Sequence, residues 1–142
     1  MAEAGDSGLL LELDEVIDAD VNARAIAIAA AFARENLPGV RDVVPTYRTV
    51  AVHFDPLRLD IHVVRAALER ASGAEPTETS RPAIEIPVRY GGDDGPDLME
   101  VARFAELSVE DAIRAHAETP YRVFMLGFLP GFAYMGTVDA RI

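Results

Sequence analysis

The sequence contains no cysteine, which excludes disulfides, thiolate metal sites and cysteine nucleophiles. It is also short of positive charge, with 13 basic against 24 acidic residues and a formal net charge of −11. Such a chain repels phosphate backbones and anionic lipid, so neither nucleic acid nor a membrane surface is an expected partner. No apolar run reaches the length of a bilayer span. The opening residues Met1 to Asp6 show no basic region followed by an apolar one, so no secretory signal is read there. These absences lead to the expectation of a soluble, cytoplasmic, globular protein.

Chemistry-bearing patterns are equally scarce. The three histidines, His53, His62 and His116, form neither His-x₃-His nor His-Glu-x-x-His. There is no GxxxxGK[ST] phosphate loop, and Ser7, Ser72, Ser80 and Ser108 all fall at turns or caps, outside any Gly-x-Ser-x-Gly elbow. The acidic run Gly91 to Asp97 lacks the twelve-residue ligand pattern of a calcium loop and reads as a solvated turn before a helix; Mg²⁺ at Asp93 and Asp94 is the weaker alternative. No metal or organic cofactor is expected on this chain.

What is present suits an α+β protein. At 142 residues, half of them hydrophobic, the chain can hold one ordinary domain or one and a half small ones. Leu9, Leu11 and Leu13 alternate with polar residues and predict a strand over 7–13. Asp18 or Asp20 should cap a helix running to about Glu35, with Ile26, Ala29, Ala30, Ala33 and Leu37 as its buried stripe. Two β-rich runs, 40–45 and 49–54, flank Thr46-Tyr47-Arg48 as a hairpin. Asp60 should cap a second helix over 61–72, with Ile61, Val64, Leu68 and Ala71 on one face.

Strand, helix, strand, strand, helix opens a ferredoxin-like, split β-α-β layout. The polar stretch 74–82 reads as a linker. A strand over Ala83 to Tyr90 then either completes that layout or, as preferred, opens a second domain, giving domains of 1–80 and 81–142. Further on, Asp97 and Ser108 should cap short helices ending near Phe104 and Ala117, before a strand over 121–126.

The chain is organised around residues 124–136, Phe-Met-Leu-Gly-Phe-Leu-Pro-Gly-Phe-Ala-Tyr-Met-Gly. Gly127, Gly131 and Gly136 punctuate an apolar run, and Pro130-Gly131 fits positions i+1 and i+2 of a tight turn. Either a loop presents Phe128, Phe132 and Tyr134 in a fixed arrangement, or a hairpin or barrel corner buries them as core. Arg48 and Arg122 could clamp a carboxylate, and His116, near a helix C-terminus, could face the site.

With Asp139-Ala140-Arg141 after it, this stretch resembles the signature of the allophanate hydrolase subunit 1 family, also known as the B-type subunit of 5-oxoprolinase, with a sporulation-kinase inhibitor (KipI) branch. Leu37-Pro38-Gly39-Val40, Pro45-Thr46-Tyr47-Arg48, Asp55-Pro56-Leu57 and residues 86–92 agree in order, and the likeness covers essentially the whole chain. Family members continue for several dozen residues beyond the point where this chain stops. The resemblance implies a small ferredoxin-like α/β domain followed by the first, incomplete part of a cyclophilin-like β-barrel. It implies a subunit of an ATP-dependent hydrolase that opens 5-oxoproline to glutamate, or a related allophanate-hydrolase-like activity, inactive alone. ATP is then used on another subunit, and the partners are a homologous C-type subunit and the catalytic hydrolase subunit. The alternative from the inhibitor branch is a regulator that docks on a sensor histidine kinase. On either reading Phe128, Phe132 and Tyr134 are expected beside a cleft closed by a partner or by further strands, and no catalytic residue is assigned.

Overall fold

The structure, a computed structural model, describes residues 1–77 and 82–142. The centre of the expected linker, Ser80 included, lies outside the described residues. By internal contacts the chain divides into two compact units, Met1–Thr79 with Phe124–Tyr134, and Ser80–Val123 with Met135–Ile142.

In the first unit, alternation places every second strand residue on one face. Strands β1 (Ala2–Glu3), β2 (Gly8–Glu12), β3 (Val40–Pro45) and β4 (Thr49–Phe54) form an antiparallel sheet in the order β1-β2-β4-β3. Leu9 lies opposite Val52 and Leu11 opposite Val50, so four apolar side chains share the buried face. The β3–β4 register shifts between Val40 and Asp42, a bulge at Arg41, whose guanidinium lies 3.2 Å from Asp55. Gly39 beside it is required twice over. Its φ is 107°, and a Cβ there would lie 2.9 Å from that of Leu59.

Helices α1 (Ala19–Arg34) and α2 (Ile61–Ala71) belong to the same unit. Asp18, the first of the two expected caps, accepts from the N–H groups of Asp20 and Val21 at 2.8 and 3.1 Å. Asp60 caps α2 through the N–H of His62 at 2.7 Å. The expected face of α2 is buried, with Ala67 added and Ile61 at its margin. The expected face of α1 needs correction. Asn22, Ala25, Ile28, Ala29 and Phe32 are buried, while Ile26 is 43% exposed and Ala30 and Ala33 face solvent. The helix turns the face that hides Phe32, its largest apolar group, together with Ile28 one turn away, because that removes most apolar area from water.

The second unit holds a 3₁₀ turn (Gly92–Asp94) and helices α3 (Leu98–Phe104) and α4 (Val109–Ala117). Ser108 caps α4 reciprocally, accepting from the Asp111 N–H at 3.1 Å and donating to its carboxylate at 2.8 Å. Asp97, expected to cap α3, makes no side-chain cap hydrogen bond. Its own backbone is already αR, which turns the side chain from the orphan N–H groups.

The expected strand over Ala83 to Tyr90 does not form. The alternation is present, but a strand also needs a neighbour for its backbone groups, and none pairs with this segment among the described residues. Ile84 is accordingly 86% exposed.

Candidate functional site

Strands β5 (Arg122–Leu126) and β6 (Ala133–Gly136) pair with each other and carry the glycine-punctuated stretch between them. Two turns in series make the tip. The Leu129 N–H donates to the Gly127 carbonyl at 2.8 Å, closing a three-residue turn around Phe128, whose φ is 66°. The Phe132 N–H then donates to the Leu129 carbonyl at 3.0 Å, with Pro130 and Gly131 at the turn centre. Gly131 has φ 79°, the value a type II turn demands at i+2, and open space where its Cβ would be. Conformation, not crowding, selects glycine there. A third bond, Gly127 N–H to Phe132 O at 3.1 Å, ties the base of the tip.

This backbone fixes a chain of rings within the first unit. Tyr47 stacks on Phe124 with centroids 5.0 Å apart and meets Tyr134 edge-on at 6.4 Å. Tyr134 meets Phe132 at 5.1 Å, and Phe132 meets Phe128 at 5.9 Å, both edge to face. Burial falls along the chain. Phe124 is core, Tyr134 is half-buried, Phe132 is 46% exposed and Phe128 is 83% exposed. The stretch is therefore part core and part presentation.

The remaining sequence candidates separate. Arg48, Gly127, Phe128, Pro130, Gly131, Phe132 and Tyr134 belong to the first unit, whereas His116, Arg122 and Gly136 belong to the second. Arg48 reaches Glu15 at 3.6 Å, and its carbonyl accepts from Leu13 N–H at 2.8 Å. Arg122 opens β5 and is exposed. Gly136 ends β6. His116 is held from two sides: the Tyr90 hydroxyl lies 2.6 Å from Nδ1, and the Tyr121 hydroxyl donates to the His116 carbonyl at 3.1 Å. With its proton on Nε2, the imidazole accepts at Nδ1 from the phenol. Burial pushes the Tyr121 phenol up from its ordinary value. At the Asp139-Ala140-Arg141 segment, the Arg141 side chain and then its backbone N–H hold the Asp139 carboxyl down at about 2.

Among the described residues, a depression of about 390 Å³ is lined by α3 residues and Ile142, and another of about 320 Å³ by the end of α1 and by β3; residues of the tip line neither of these. No group of three or more His, Asp or Glu side chains converges on a metal-sized position among the described residues. No helix among them is long and apolar enough to cross a membrane. Sequence reasoning missed Tyr47 and Asn22 as parts of this site. An aromatic ring in the middle of a three-residue turn was the available signal for Tyr47. For Asn22 the signal was a carboxamide among alanines on a helix face.

The family described as carboxyltransferase domain, subdomain C and D, matches residues 1–142. The B-type subunit of 5-oxoprolinase from Bacillus subtilis (strain 168) is 37% identical over 99% of this chain and 63% of its own length. The protein of the same name from Escherichia coli O157:H7 is 30% identical over 97% of this chain and again 63% of its own. This chain thus spans less than two thirds of the curated relatives it matches. Among solved structures, TTHA0988 superposes with a TM-score of 0.78 at 38% identity, covering 94% of this chain and 26% of that one. The urea amidolyase of K. lactis, at 15% identity and a TM-score of 0.60 over 88% of this chain and 9% of that one, shares the fold. With the family match running from the first residue to the last, the chain belongs to the carboxyltransferase-domain family, subdomains C and D.

Proposed function

We propose that this chain works as a non-autonomous subunit of an ATP-dependent amide or lactam hydrolase, opening 5-oxoproline to glutamate as part of a complex. An allophanate-hydrolase-like substrate is the nearest variant. On this reading residues 1–80 are a ferredoxin-like domain and 81–142 the opening part of a cyclophilin-like barrel. ATP is used on another, catalytic subunit, and a homologous C-type subunit pairs with this one in the cytoplasm. The relatives named as B-type subunits of 5-oxoprolinase support the reaction class.

The observation that carries the reading is the hairpin tip. A hydrogen-bonded double turn holds Phe128 and Phe132 in solvent while Phe124 and Tyr47 anchor it below. Exposed rings on a fixed backbone suit binding, since little conformational freedom remains to be lost on association. Among the described residues no self-contained hydrolytic set accompanies them. Reconstitution tests the reading: the chain alone, given ATP and 5-oxoproline, should release no glutamate, and adding the homologous partner and hydrolase subunits should start turnover. Turnover by the other subunits at the same rate without this chain would overturn it. Inhibition of a sensor histidine kinase with no effect on turnover would replace it by the regulatory reading.

A further inference from the structure

Asn22 is the buried polar side chain of the described core, fully shielded on the inner face of α1. Its position follows from the cap. Asp18 starts the helix, and the Asn22 N–H makes the first full helical bond, to the Asp18 carbonyl at 3.0 Å. From there the side-chain nitrogen Nδ2 donates twice, to the Thr46 carbonyl at 2.8 Å and to the Phe124 carbonyl at 3.0 Å. A carboxamide nitrogen carries two hydrogens, and both are spent on backbone carbonyls from segments far apart in sequence.

Those carbonyls are the two feet of the ring chain. Thr46 precedes Tyr47, and its loop is tightened further by the Thr46 N–H to Thr49 carbonyl bond at 2.8 Å and by the contact of the two threonine hydroxyls at 2.8 Å. Phe124 is the ring on which Tyr47 stacks. One side chain therefore clips the loop that carries Tyr47 to the strand that carries Phe124. Aspartate would turn an acceptor toward two carbonyls, leucine would offer nothing, and a hydroxyl has one hydrogen for two acceptors.

We propose that Asn22 is the positioning residue of the aromatic hairpin: its carboxamide locks the Tyr47 loop to the Phe124 strand, so the exposed rings meet a protein partner in one arrangement. The consequence for partner binding rests on the docking role proposed above; the clip itself does not. The chain contains two asparagines, Asn22 and the exposed Asn36, and no glutamine, so its side-chain amide NMR spectrum holds two pairs of protons. In the full wild-type chain the Asn22 pair should exchange with solvent at least about tenfold more slowly than the Asn36 pair, because buried, doubly bonded hydrogens exchange only on opening. Equal rates would overturn the proposal, whether or not any variant folds.

In Asn22→Leu the ring resonances of Tyr47 and Tyr134 should move while the methyl resonances of Val50, Val52 and Leu68 keep their positions. Association with the homologous partner subunit should weaken about tenfold or more. Unmoved tyrosine rings, or moved rings with unchanged association, would each overturn the positioning role. A wild-type chain that binds no such partner would instead count against the docking role and leave the two NMR results to judge the clip.

Discussion

Phe128 is the most informative single residue, because it is both exposed and conformationally misplaced. An aromatic residue at φ 66° is an outlier that glycine would occupy without strain, and such positions cost on the order of 1 kcal/mol or more. A side chain placed there against its backbone preference points to a use for the ring. Phe128→Gly should therefore leave the chain equally or more stable, by up to about 1 kcal/mol in chemical denaturation, while weakening partner association. A loss of stability would mean that the ring is needed for folding. Gly131→Val should act in the opposite sense on stability, since its φ of 79° is closed to a β-branched residue. At Asp55 the Leu57 N–H, and after it the Arg41 guanidinium, hold the carboxyl below its ordinary range. A depressed carboxylate contributes stability above its unfolded pKa of about 4 and loses it as pH falls through the folded value. Asp55→Asn should thus lower the thermal midpoint at pH 7, and the gap from wild type should close as pH drops below about 4. A gap that persists to pH 2 would assign Asp55 a purely steric role.

Elements differ in how plainly their residues announce them. Hairpin β3–β4 was legible to the residue because both runs are β-rich and bounded by Pro38-Gly39 and Asp55-Pro56. The caps Asp60 and Ser108 were legible for the same local reason, while at α1 the choice stayed open between Asp18 and Asp20; Asp18→Ala should cost about 1 kcal/mol in denaturant unfolding. The face of α1 was not legible, since alanine at half of its positions leaves the apolar stripe almost undirected. Phe32 breaks the tie between the faces of Ile26 and Ile28, and Phe32→Ala should cost roughly 3–5 kcal/mol, whereas Ile26→Ala should cost little. Residues 83–90 failed for a different reason. Their alternation is sound, but pairing is a long-range property that no local pattern contains. At the site, Gly131 and Pro130 were readable from turn chemistry, while the Asn22 bonds to Thr46 and Phe124 span too much sequence to be read.

At the scale of the whole molecule, the grouping of residues 124–134 with residues 1–79 joins the hairpin tip to the four-stranded sheet's unit. A fragment of residues 1–77 keeps the core of Leu9, Phe32, Val52, Phe54 and Leu68 and should unfold cooperatively, though at a lower temperature than the full chain. It loses both hairpin ring contacts of Tyr47, with Phe124 and with Tyr134. An equal midpoint would show that the hairpin adds nothing to the unit. On the proposed function, this hairpin is where the chain docks in a hydrolase complex. The most direct measurement is the dissociation constant of the homologous partner subunit for wild type and for Phe132→Ala, with folding of both checked by thermal unfolding. Truncating an anchoring ring at the centre of an interface costs about 2 kcal/mol or more, so the variant should bind roughly 30-fold more weakly. The same constant for two folded proteins would contradict the claim.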